Sequence, residues 1–260
     1  MSQVVVEIDE GVATLRLNDP GSMNALSVSM GAEFDAAMDG LVADSSIRAL
    51  VITGTGPGFS AGGDVQAFYD KRDSPTETMQ AVLDGLHGSV SKLLTAPFPT
   101  IAAINGVVAG AGMGLAMATD LAVAVDTAVF TMAYTGIGVS PDGSSTFFLP
   151  RLVGVRRAME LILTNRVLSA DEALDLGIVN RVVPEDEFDA AVEKLARRLA
   201  KGPTLAYVRA RELVMGSFGN DPFTQMDAEA SFILAAASTD DFYEGISAFI
   251  EKRRPGFTGS

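Results

Sequence analysis

The sequence predicts an α/β fold that closes on a helical region, because strand patterns followed by helical ones recur along the chain and only helical periodicity remains from Glu185 onward. Val4 to Ile8 and Val12 to Leu17 alternate apolar and polar side chains around Glu10-Gly11, the pattern of a half-buried hairpin. Asn24 to Leu41 then sets Leu26, Met30, Phe34, Ala37, Met38 and Leu41 at steps of three and four, which predicts an amphipathic helix, and Ala49 to Thr53 reads as a short buried strand. The same order returns as a helix over Met79 to Leu94, a strand over Ile101 to Ile104, a glycine-rich loop, a short helix ending near Thr119 and a strand over Leu121 to Val125. Such repetition argues for parallel pairing. Helices dominate after Pro150, where Ser169-Ala-Asp-Glu172 forms a capping box before an apolar run that stops at Gly177. Lys71 to Pro75 and Gly216 to Pro222 read as surface loops.

Composition narrows the chemistry. A chain of 260 residues that is 48% hydrophobic can bury a substantial core. Cysteine is absent, which excludes thiolate nucleophiles, disulfides and cysteine-based metal sites, and the single histidine, His87, excludes a histidine-cluster metal site. No metal is expected. The N-terminus lacks a basic stretch followed by an apolar one, and no uninterrupted apolar run reaches membrane-spanning length, so a soluble, cytoplasmic protein is predicted. A net charge of −14 argues against nucleic-acid and anionic-membrane partners, both of which require a basic face. A polyanionic ligand would have to be met by local positive charge or by backbone amides.

Three motif readings compete. Gly58-Phe-Ser60-Ala-Gly62 matches the G-x-S-x-G nucleophile elbow, but that mechanism needs a histidine late in the chain and none follows His87. Gly110-Ala-Gly112-Met-Gly114 with Asp126 suggests a dinucleotide fingerprint, yet the third glycine falls one position early and Asp126 follows too closely for a crossover helix. The third reading takes both glycine loops together. Each follows a buried strand and opens a helix, so each presents unpaired N–H groups, and two converging donors make an oxyanion hole for a thioester enolate.

Gly58-Phe-Ser-Ala-Gly-Gly-Asp64 and Ala102-Ala-Ile-Asn-Gly-Val-Val-Ala-Gly-Ala-Gly112 resemble the two oxyanion-hole segments of the crotonase (enoyl-CoA hydratase/isomerase) superfamily. The likeness spans nearly the whole chain, from Gly11-Val-Ala-Thr-Leu through Leu149-Pro-Arg-Leu-Val-Gly154 to Glu244-Gly-Ile-Ser-Ala-Phe249. It implies a ββα superhelix over residues 1–200 that carries the acyl-CoA site, and a helical oligomerisation region over residues 201–260 that builds a homotrimer or hexamer. The resemblance assigns the oxyanion amides to Gly63 and Ala111. It assigns the CoA channel to Met23, Ala25, Leu26, Ala61, Gly62, Asp64, Val65 and Gly110, with Phe249 and Lys252 reaching CoA from the C-terminal helix. It implies no cofactor, because coenzyme A is part of the acyl-CoA substrate.

The departures from the family pattern are informative. Hydratases of the superfamily use two glutamates, at the positions held here by Gly114 and Tyr134. Without them a standard hydration mechanism lacks both its water activator and its proton donor. The carboxylate that remains is Asp142, in Gly138-Val-Ser-Pro-Asp142-Gly, where non-hydratase branches carry theirs. This pattern resembles phenylacetate-type enoyl-CoA isomerases, and the Asp142, His87 and aromatic Tyr134 positions also resemble 4-chlorobenzoyl-CoA dehalogenase. An isomerase moving a double bond from C3 to C2 needs one base and an oxyanion hole, and Asp142 would serve best in a largely apolar pocket near Tyr134, Phe147 and Phe148. A dehalogenase would use Asp142 as nucleophile and His87 to activate water. The expected function is Δ3,Δ2-enoyl-CoA isomerase; an atypical hydratase, a dehalogenase-like hydrolase and a non-catalytic acyl-CoA binder are the alternatives.

Overall fold

The computed structural model describes residues 2–260. The chain opens with strands β1 (Val4–Asp9) and β2 (Val12–Leu17), paired antiparallel through a turn in which Glu10 and Gly11 both adopt positive φ. That backbone matches the twist of the flanking strands, so the hairpin is tight. Helix α1 (Val28–Ala43) follows, then β3 (Ala49–Gly54) and β4 (Gly58–Ser60), the helices α2 (Val65–Asp70) and α3 (Pro75–Leu94), β5 (Thr100–Ile104) and β6 (Val107–Ala109). Next come α4 (Ala111–Met117), β7 (Leu121–Val125) and β8 (Val129–Thr131). Each of these turns therefore gives one strand to each of two sheets.

The larger sheet runs β1-β2-β3-β5-β7 and ends on β10 (Arg181–Val183); every pair after the hairpin is parallel. The smaller runs β4-β6-β8 and ends on β9 (Leu168–Ser169), which pairs antiparallel. All residues of β3 and β5 are buried, as befits parallel strands covered on both faces. Phe34, Phe59, Phe98 and Phe130 fill the core between the sheets and helices. This is the α/β spiral with a helical C-terminal region that the resemblance implied.

The remaining helices are α5 (Ser145–Val153), α6 (Val155–Thr164), α7 (Ala170–Asp175), α8 (Phe188–Ala200), α9 (Thr204–Gly216), α10 (Pro222–Ala236) and α11 (Asp240–Glu251). Both hydrogen bonds of the predicted capping box at Ser169 and Glu172 form. Arg211 ties α9 to the core through Asp120 at 3.1 Å and the carbonyls of Ala96 and Phe98. Arg48 reaches Thr204 Oγ1 at 2.6 Å, Gly202 O at 2.7 Å and Thr258 O, so the tail returns to the core. No helix among the described residues is long and apolar enough to cross a membrane.

Three expectations need correction. The first long helix begins at Val28, not Asn24, because Met23 and Asn24 adopt positive φ and Ser27 caps the helix by accepting from Met30 N. The surface loop read over Lys71 to Pro75 ends one residue earlier, since Pro75 opens α3. Two strands, β9 and β10, sit within the stretch read as helical, each too short to show a period.

Candidate active site

The two glycine loops leave the small sheet side by side. β4 ends at Ser60 and β6 at Ala109, and their parallel pairing sends Ala61-Gly62-Gly63 and Gly110-Ala111 off the same edge. Gly62 (φ +92°) and Gly110 (φ +50°) take conformations that a side chain disfavours. A Cβ at Gly62 would also stand 2.8 Å from Ala109 O and 3.2 Å from Ala111 N, so the loops are in backbone contact. Neither Gly63 nor Ala111 donates its N–H to an acceptor among the described residues. For Ala111 the reason is general: it is the first residue of α4, and a first-turn amide has no intrahelical acceptor.

Ser60 is fully buried and donates to Asn24 O at 2.9 Å while Gly62 N donates back to its Oγ, so its hydroxyl braces the first loop. From the other side Ala61 N donates to Met23 O at 2.9 Å and Leu26 N to Gly62 O at 2.6 Å. The segment from Met23 to Leu26 thus clamps the loop that presents Gly63.

Gly63 and Ala111 both line a cavity of about 440 Å³. Ala61, Gly63, Gly110 and Ala111 form one wall, Val65 and Phe68 of α2 a second, and Met79, Val82 and Leu83 of α3 a third. A single helical turn at Tyr134–Ile137 and the loop from Val139 to Asp142 complete it. The lining is mostly apolar, and Asp142 is its one carboxylate.

Tyr134 is buried, and its hydroxyl donates to Asp142 Oδ1 at 2.6 Å. Burial, then the negative charge of Asp142 and this hydrogen bond, hold the Tyr134 phenol far above its ordinary range; only the nearby Ser145 hydroxyl and the Asp142 backbone oppose the shift. Tyr134 is therefore a donor at every working pH. A Cβ at Gly114 would meet Gly143 O at 2.7 Å and Ser145 Oγ at 2.9 Å. The loop that brings Asp142 to the cavity thus occupies the space a glutamate at position 114 would need.

The chain matches the model of the family described as enoyl-CoA hydratase/isomerase over residues 7–260. It belongs to that family. It is 35% identical over 260 residues to the 1,2-epoxyphenylacetyl-CoA isomerase of Escherichia coli strain K12, covering 100% of this chain and 99% of the relative. It is 38% identical to 4-chlorobenzoyl coenzyme A dehalogenase-2 of an Arthrobacter species, covering 96% of this chain and 91% of the relative. An enoyl-CoA hydratase crystal structure from Polaromonas sp. JS666 superposes with a TM-score of 0.93 at 32% identity, covering 98% of this chain and 99% of that one. The chain is accordingly an enzyme of the crotonase superfamily, whose chemistry is of the acyl-CoA hydratase/isomerase type.

As a crotonase-family site the cavity gathers Ala61, Gly63, Val65, Gly110, Ala111, Tyr134 and Asp142 of the residues predicted from sequence. Gly62 stands behind Gly63, and Asp64 turns away to cap α2 by accepting from Ala67 N at 2.9 Å. Ala25 and Leu26 are buried in the clamp, whereas Met23 is exposed. His87 is exposed on α3 and does not line the cavity, which α3 meets with Met79, Val82 and Leu83 instead. Phe249 (86% exposed) and Lys252 lie at the end of α11, outside the cavity of their own chain. Sequence reasoning passed over Met79, Val82, Leu83, Ile137 and Val139, whose spacing looks like ordinary core.

Proposed function

We propose that this enzyme is a Δ3,Δ2-enoyl-CoA isomerase. The observation that carries the reading is a single carboxylate, Asp142, in a largely apolar cavity beside two unpaired backbone amides. The amides of Gly63 and Ala111 receive the thioester oxygen, and negative charge that develops there on removal of a C2 proton is stabilised most in a site without water. Asp142 takes that proton and returns it at C4, while the double bond moves from C3–C4 to C2–C3. One base serves both steps, and no cofactor beyond the coenzyme A of the substrate takes part.

Hydration is disfavoured by the absence of a second carboxylate and by the filled space at Gly114. The dehalogenase reading loses support because His87, its water activator, faces solvent. The naming of the Escherichia coli relative as an isomerase favours the proposal. In the same reading the protein is cytoplasmic and assembles as a homotrimer or hexamer, with Phe249 and Lys252 reaching CoA in the assembly. The test is product analysis by mass and retention time with trans-3-hexenoyl-CoA, 2-hexenoyl-CoA and 4-chlorobenzoyl-CoA. Conversion of the first to the 2-enoyl thioester supports the isomerase; water added to the second or chloride released from the third rejects it.

A further inference from the structure

Asp142 has two oxygens, and the structure treats them differently. Oδ1 accepts from the Tyr134 hydroxyl at 2.6 Å, whereas Oδ2 accepts from no group among the described residues. The backbone around the group is also unusual: Ala133, Gly143 and Ser144 all have positive φ, so both ends of the pair are set by turns held in a restricted conformation.

We infer that Tyr134 is the positioning residue of the reaction: its hydroxyl fixes Oδ1 of Asp142 so that Oδ2 alone carries the proton. The inference rests on the isomerase reading and adds a distinct role to it. The C2–H bond breaks, the proton passes to Oδ2, and the electron pair enters the dienolate whose oxygen meets Gly63 and Ala111. The same proton then leaves Oδ2 for C4, which restores the carboxylate. A carboxylate free to rotate would present either oxygen and admit water between the two steps, so the proton would exchange before delivery. A fixed one returns the proton it took.

The experiment uses full-length protein and trans-3-hexenoyl-CoA deuterated at C2, with kcat, KM and the fraction of label delivered to C4 as readouts. Tyr134→Phe keeps the ring and loses only the donor; kcat is expected to fall about tenfold to hundredfold, the size of effect a misplaced catalytic group produces. KM should stay within about threefold, since uniform binding is untouched, and the label at C4 should drop in parallel with kcat. Wild-type kcat and label transfer in folded Tyr134→Phe would overturn the inference, as would a change in KM alone. Should Tyr134→Phe fail to fold, wild-type protein that isomerises with no label delivered to C4 overturns it.

Turnover of unlabelled trans-3-hexenoyl-CoA in deuterated water separates the two proposals. Wild-type protein that fails to isomerise rejects the isomerase and with it the role that rests on it; wild-type protein that isomerises with the same share of solvent deuterium at C4 as folded Tyr134→Phe overturns the positioning role alone.

Discussion

A Cβ at Gly114 would lie 2.7 Å from Gly143 O, a backbone atom that cannot swing aside. Gly114→Glu is therefore expected to cost about 1–3 kcal/mol of stability through overpacking and to bring no hydration of 2-hexenoyl-CoA. Denaturant unfolding and a hydration assay check the two halves, and a stable variant that hydrates would show that the loop yields easily. The missing glutamate was legible in the sequence as an absence; the reason it cannot be put back alone was not, because the obstructing atom lies 29 positions further along the chain. Tyr134 and Asp142 are only eight positions apart, yet their hydrogen bond was also illegible. It depends on a one-turn helix and four residues of positive φ between and beside them, of which only the two glycines give a sequence signal.

Helices α1 and α3 cross where Gly31 meets Gly85, and a Cβ on Gly85 would stand 2.9 Å from Gly31 C. Gly85→Ala should push α3 outward with Val82 and Leu83, lowering stability by about 1–3 kcal/mol and raising KM for the acyl substrate; thermal unfolding with steady-state kinetics checks this. At the other end of the chain Arg253 binds Glu244 in a forked pair, and Gly256 N donates to the same carboxylate at 2.7 Å. These contacts lower the Glu244 carboxyl from 4.5 to about 2. A depressed carboxylate stabilises the folded state above its unfolded value and loses that contribution as it protonates. Protection of the amides at the end of α11 and in the tail, taken as their exchange rate relative to the unfolded chain at the same pH, should thus fall as the pH drops from 4.5 towards 2, and Glu244→Gln should remove that loss.

Elements long enough to show a period were readable: the hairpin, α1 beyond its start, α3, the capped α7 and α8 to α11. The three-residue strands β4, β6 and β8 were not, although they launch both glycine loops. The loops carried the signal because positive φ and close backbone approach demand glycine there. The apolar lining of the cavity carried none, since its side chains obey the same spacing as any buried helix face. At the scale of the whole molecule, α10 buries none of its residues in the single chain, and Phe223, Ile233 and Leu234 of α10 and Phe249 and Ile250 of α11 are exposed. Such exposed apolar side chains suit the proposed assembly. Sedimentation is expected to show an oligomer, and Ile233→Glu with Leu234→Glu to weaken it; a wild-type monomer would contradict the proposed assembly. The central claim concerns Asp142, and its most direct test compares wild type with Asp142→Asn on trans-3-hexenoyl-CoA. Isomerisation by the wild type with a loss in kcat of about a thousandfold in a folded variant is the predicted result; equal rates, or no isomerisation by the wild type, would contradict it.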